Sequence, residues 1–96
     1  FQDQMGIIFF RNEVISTNIG EAVKERILEL CQQRNLSINK LNSISGVTQS
    51  TVNNIISGRN RSTTISTIKK LCDGLDITIE EFFHSELFHN LEQELK

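Results

Sequence analysis

Between Thr48 and Ser57 the chain sets Gln49, Ser50, Asn53, Asn54 and Ser57 at helical spacing among the apolar residues Val52, Ile55 and Ile56. Packing Val52 and Ile55 inward turns the polar set outward, and that set carries no charge. Exposed helices usually present Glu and Lys, which solvate well and favour the helix, whereas Asn, Ser and Thr are mediocre helix formers. Side-chain amides donate and accept together, which is what the major-groove edge of adenine asks for, and short hydroxyls let a backbone approach closely. An uncharged face also does not repel phosphates. The competing reading is a polar surface helix with no partner.

Candidate phosphate contacts flank this face. They are the loop Arg59-Asn60-Arg61, the start of a helix at Ser37 with Asn39 beside it, and the Thr63-Thr64 start of another. Helix amino termini offer free backbone N–H groups that bind phosphate oxygens without net protein charge. For Arg59 and Arg61 the alternative is a solvated loop. Catalytic and metal chemistry are not expected: no nucleophile is paired with a base, and no phosphate-binding glycine loop is present. His84 and His89 lack Cys or carboxylate neighbours at ligand spacing, so no metal, cofactor or small-molecule ligand is anticipated.

Those groups need elements to hold them. The chain has 96 residues, 38% hydrophobic and 23% charged, which suits one small globular domain and excludes a large enzyme. With no proline and only 5 glycines, breaks are read from glycine and from Ser/Thr/Asn clusters. Asn18 followed by Glu21 has the look of a capping box, and Ile19, Val23, Ile27 and Leu30 continue a helix to about Arg34-Asn35. Ser37 starts a short second helix with Ile38, Leu41 and Ile44 as its apolar face, and Ser45-Gly46 ends it. Thr48 starts the third helix and Thr64 the fourth, which carries Ile65, Ile68, Leu71, Cys72 and Leu75. Thr78 with Glu81 makes a capping box for a brief fifth helix. Leu87, Phe88, Leu91 and Leu95 extend the helical spacing toward the end. Helices as short as the second and third are not stable alone. They hold if Leu41 and Ile44 pack on Val47, Val52 and Ile55 across the turn Ser45-Gly46-Val47, the arrangement of a helix-turn-helix.

The formal net charge of −2 is uneven. Residues 17–84 hold eight basic and seven acidic groups, a net of +1, while residues 1–16 contribute −1 and residues 85–96 contribute −2. Bulk charge is therefore silent about nucleic acid, and the argument rests on local patterning. Residues 1–16, apolar and of strand propensity around Met5 to Phe10 and in part readable as appended sequence, are expected to be an arm that packs on the domain or on a second subunit, the alternative being a disordered tail. No run approaches the roughly 20 apolar residues of a membrane span, no secretory signal is recognisable, and Cys31 and Cys72 read as buried thiols of a reducing compartment. A cytoplasmic protein is expected.

Taken in order, Ser37-Ile-Asn-Lys-Leu41, Gly46-Val-Thr-Gln-Ser-Thr-Val52, Ile55, Gly58, Thr64-Ile-Ser-Thr-Ile68, Leu71-Cys-Asp-Gly-Leu75 and Thr78-Ile-Glu-Glu-Phe-Phe83 resemble the Cro and lambda-repressor-like helix-turn-helix regulators of bacteria and phages. The resemblance covers about Ile19 to Phe83. It implies an all-α, five-helix DNA-binding domain over residues 17–84, with the apolar arm before it and a short helical tail, residues 85–96, after it. Its third helix would enter the major groove, with Gln49, Ser50 and Asn54 at base-reading positions. Ser37, Thr48, Ser57, Arg59 and Arg61 would lie near phosphates. The function implied is sequence-specific binding of double-stranded DNA by a transcriptional regulator, most simply a repressor. A homodimer on a two-fold operator is expected, because paired half-sites raise the affinity of a small domain. Phe83, Leu87, Phe88 and Leu91, or the arm Ile7 to Phe10, would supply the dimer contacts. The rival is a helix-turn-helix used as a protein-interaction module, which the acidic balance favours.

Several residues depart from the family pattern. Asn42 stands where a small residue, usually alanine, follows Leu41, and must find hydrogen-bond partners or loosen the contact between the second and third helices. Thr63 replaces a common proline. Cys31 and Ile56 occupy positions where some relatives carry a buried Arg–Glu pair, and they are expected to touch; apolar replacement of such a pair is often neutral or stabilising. Cys72 reads as core packing.

Overall fold

A computed structural model describes residues 18–57, 63–91 and 93. Its helices begin where a short polar side chain can accept an orphan backbone N–H. The first helix, α1, spans Ile19–Gln33, and Asn18 accepts the Glu21 N–H at 2.8 Å. The Glu21 carboxylate does not complete a capping box there. It pairs with Lys24 at 2.8 Å, and that hydrogen bond raises the lysine pKa above its ordinary value. α2 spans Ile38–Ser45 behind Ser37, α3 spans Gln49–Ile56 behind Thr48, and α4 spans Ile65–Leu75 behind Thr64. α5, Ile79–Phe83, has the full capping box, with the Glu81 N–H donating to Thr78 at 3.0 Å and the Thr78 N–H donating to Glu81 at 2.8 Å.

Two helices end on left-handed residues that are not glycine. Asn35 (φ 57°) lets the Leu36 N–H reach back to the Cys31 carbonyl at 2.8 Å, and Asp76 (φ 60°) does the same for Ile77 and Cys72 at 3.0 Å. Short polar side chains tolerate this conformation better than branched ones. Gly46 (φ 72°) caps α2.

One core joins all five helices. Val23, Ile27, Leu30 and Cys31 of α1 meet Leu41, Val47, Val52, Ile55, Ile68, Leu71, Cys72, Leu75 and Phe82, all buried. A fully buried Leu, Ile or Phe contributes about 1.5–3 kcal/mol by leaving water. Ile56 packs against the same cluster as Cys31, so the pair of departures is absorbed into apolar packing. Both thiols are free, and burial pushes each pKa upward.

Three sequence expectations need correction. Ile44 is 39% exposed rather than packed, and Ile65 is 63% exposed. α2 turns the row Ile38, Leu41, Asn42 and Ser45 inward, chiefly against α4, and this leaves Ile44 over 100° around the helix. Gly74 explains the choice: a Cβ there would lie 2.9 Å from the Ser45 Cα, so α2 and α4 approach closely only over small residues. Helicity also stops at Phe83. The tail instead makes one 3₁₀ turn, Glu86–Phe88, which returns to α1. The Phe88 ring stands 4.9 Å from Phe83 and 6.2 Å from Phe82, and that ring cluster stands where helicity was expected to extend through Leu87, Phe88 and Leu91 toward Leu95, which lies outside the described residues.

Asn42 settles its own question. Its Oδ1 is buried with no hydrogen-bond partner.

Long-range hydrogen bonds close the far side of the molecule. Arg26 donates through Nε to the Phe82 carbonyl at 2.6 Å and through NH2 to the Glu81 carbonyl at 2.8 Å, while NH1 pairs with Glu29 at 2.7 Å. Arg34 donates to the Leu75 carbonyl at 2.6 Å. Neither α4 nor α5 has a basic residue in its own last turn; Arg26 of α1 and Arg34, the residue that caps α1, bring cations to their last carbonyls.

Candidate nucleic-acid interface

The turn between α2 and α3 is fixed by one hydroxyl. Ser45 donates to the Leu41 carbonyl at 2.7 Å and accepts the Val47 N–H at 3.3 Å, while Gly46 takes the left-handed step between them. Val47, Val52 and Ile55 are buried at 7%, 0% and 1% exposure, and this orients α3 on the core.

Gln49, Ser50, Asn53 and Asn54 are all exposed on the opposite side of α3. None of their side chains forms a hydrogen bond or ion pair with the described residues. At about 100° per residue, the arc from Gln49 through Asn53 and Ser50 to Asn54 covers about 140° of the helix without a charge. The described structure therefore brings together the four residues expected to read bases. Ser57 is exposed at the end of α3 and its hydroxyl donates to the Asn54 carbonyl at 3.1 Å.

The residues expected at phosphates divide into two groups. Ser37 and Asn39 are exposed at the start of α2, where Ser37 accepts the Lys40 N–H at 3.1 Å, and Thr48 is exposed at the start of α3. Arg59, Asn60 and Arg61 lie outside the described residues, as does the arm at residues 1–16. Phe83, Leu87, Phe88 and Leu91 are half-buried, and Phe83 and Phe88 spend part of their surface on each other.

Two features were missed from the sequence. Thr48 and Thr51 share a hydroxyl–hydroxyl hydrogen bond at 2.8 Å while Thr48 accepts the Thr51 N–H. Thr64 and Thr67 repeat the pattern at the start of α4, at 3.0 Å. Each pair holds two hydroxyl protons and uses one, so each keeps one O–H for an outside acceptor such as a phosphate oxygen. The repeated Thr-x-x-Thr spacing was the available signal. Lys40 is exposed and has no ion-pair partner among the described residues, whereas Lys24, Arg26 and Lys69 each pair with a carboxylate.

Residues 26–86 match the model of the Cro/C1-type helix-turn-helix DNA-binding domain. The chain belongs to that family. As a Cro/C1-type domain it has α2 and α3 as its helix-turn-helix pair and α3 as its exposed second member. It is also similar to the crystal structure of the prophage Lp1 protein 11, with 42% sequence identity and a TM-score of 0.67 over 72% of this chain and 91% of that one. A comparison with curated proteins returns no match. Among the described residues of this Cro/C1-type domain, no group of three or more His, Cys, Asp or Glu could hold a metal ion. No described helix is long and apolar enough to cross a membrane.

Proposed function

We propose that the chain is a sequence-specific transcriptional regulator, most simply a repressor, that acts inside the cell as a homodimer on a two-fold symmetric DNA site. One observation carries this reading: in a Cro/C1-type frame, the exposed face of α3 is a continuous set of uncharged amides and hydroxyls with no partner in the described chain. Such groups read base edges, while the exposed starts of α2 and α3, the Thr48–Thr51 pair and the loop cations at Arg59 and Arg61 hold the backbone. Two copies would set their α3 helices about 34 Å apart, one turn of DNA. Phe83, Leu87, Phe88 and Leu91, or the arm Ile7 to Phe10, would form the subunit contact.

The rival, a protein-interaction module, has one observation in its favour. A groove between α1 and the 3₁₀ turn has Glu25, Glu29 and Glu86 against Arg26 in its lining and no residue of α2 or α3, and this acidic excess does not favour DNA there. Selection of the purified chain on a pool of random duplexes near 0.15 M salt separates the two readings. An enriched inverted repeat supports the regulator; a folded, monodisperse protein that enriches nothing moves the weight to the groove.

A further inference from the structure

We infer that the groove between α1 and the 3₁₀ turn docks a short cationic segment of a second protein, one in which Lys or Arg flanks an apolar side chain. The groove shares no residue with α3, so the inference stands apart from the DNA-binding reading and adds a protein partner to it.

Four observations carry it. The groove, about 870 Å³ in volume, continues into a second hollow of about 380 Å³ beside α5, and Arg26 and His84 line both. Glu25, Glu29 and Glu86 line the first, and Glu80 and Glu81 line the second. Five carboxylates thus face one guanidinium, which is already committed to the Glu81 and Phe82 carbonyls and to Glu29. Next, the exposed Glu80 and Glu86 carboxylates have no hydrogen bond or ion pair among the described residues, and Glu25 reaches only Lys24 there, at 3.8 Å. The arrangement also works against the fold: Glu25 and Glu29 stand four apart on α1, a spacing at which like charges destabilise a helix, and Glu86 brings a further charge to them from another element. Finally, the half-buried Leu87 gives the lining an apolar contact beside those carboxylates. Lys and Arg suit such a surface, because their methylene stems lie on apolar groups while the charged head meets a carboxylate.

Charge selects the occupant. Phosphates are repelled by an acidic lining, so nucleic acid is the wrong partner here. Residues 1–16 carry a net −1 and residues 85–96 a net −2, so neither end of the chain complements the groove. A basic segment of another protein does, and it leaves α2 and α3 free while it is bound.

The test selects a displayed library of random heptapeptides on the full chain at about 0.05 M salt, where exposed charge pairs are weakly screened. Enriched peptides should combine Lys or Arg with Leu, Ile or Phe. Titration of one such peptide should shift the amide signals of Glu25, Glu29, Glu86 and Leu87 and spare α3. Glu25→Lys combined with Glu86→Lys should weaken the peptide about tenfold, since two attractions become repulsions, while the amide spectrum outside the groove stays that of the parent chain. Enriched peptides without cations, shifts centred on α3, or a double variant that binds as tightly as the parent overturns the inference. A library that enriches nothing on the folded chain overturns it too. So does a double variant that breaks an oligomer of the parent chain, because the groove would then belong to a second copy. None of these results bears on the random-duplex selection, so the DNA-binding reading stands or falls separately.

Discussion

The two sides of the domain use polar side chains in opposite ways. On the α1–α5 side, Arg26 is 11% exposed in its side chain and holds two backbone carbonyls and a carboxylate, Arg34 holds a third carbonyl, and Lys24 is paired with Glu21. On the α3 side, Gln49, Ser50, Asn53 and Asn54 hold nothing within the described chain. The first set adds charged donors to the carbonyls of Leu75, Glu81 and Phe82 and closes ion pairs along α1. The second makes no bond within the described chain, and its Asn and Ser members cost helix propensity. Polar groups kept on a helix at a cost, with no partner inside, are the ones to assign to a partner outside.

The sharpest way to break the comparison is to remove Arg26. Arg26→Ala should lower stability by about 2–3 kcal/mol in a denaturant titration, since two carbonyls lose charged donors, with little change in DNA affinity per folded molecule. Gln49→Ala should do the reverse. It should cost about 1–3 kcal/mol of binding to the selected site while its unfolding midpoint stays within about 0.5 kcal/mol of the parent. Equal effects of both changes on stability would erase the distinction between the two sides.

Gly74 joins the sides, and Gly74→Ala should cost about 1–3 kcal/mol through overpacking against Ser45, with a parallel loss of binding as α2 and α3 shift. Asn42→Ala should move stability the other way, up by about 1 kcal/mol, because it deletes an acceptor that is buried without a donor. A fall instead would mean that the Asn42 amide makes a contribution its bonds do not reveal. The smallest effect expected is on pH dependence. Burial raises the folded pKa of Cys31 and Cys72, so the unfolded chain loses these protons first. Stability should be full below the ordinary thiol pKa of about 8.5 and should decline as pH rises through it. Removal of both thiols by Cys31→Ala and Cys72→Ala should flatten that decline, measured by chemical denaturation from pH 7 to 10.

Most of the fold was legible because helix starts are local events. Asn18, Ser37, Thr48, Thr64 and Thr78 each cap the helix the sequence assigned to them, and Gly46 ends α2 where a left-handed residue is needed. The α3 face was legible for the same reason, since eight residues at a known period have one inside and one outside. What escaped depends on distant partners. Arg26 and Arg34 act on carbonyls 56 and 41 residues away, and nothing near either position announces it. Ile44 looked like core because it is apolar, but the inward side of α2 was set by the tight approach of α4, which prefers Ser45. The tail failed for a related reason: Leu87 and Phe88 have helical spacing, yet the edge-to-face contact of Phe88 with Phe83 goes with a chain that leaves the helix at His84.

The close passage of Gly74 under Ser45 has a mechanical meaning. Ser45 is also the residue whose hydroxyl ties off the turn before α3, so a single point serves both as the seat of α2 on α4 and as the latch of the reading element. A hinge needs clearance, and at this joint even a single added methyl would meet the Ser45 backbone. On the function proposed above, α3 would meet DNA together with the element that seats it, and where the two surfaces disagree in shape the double helix would be the side to yield. The bendability of a DNA sequence would then act as a second selector, on base pairs the protein never touches.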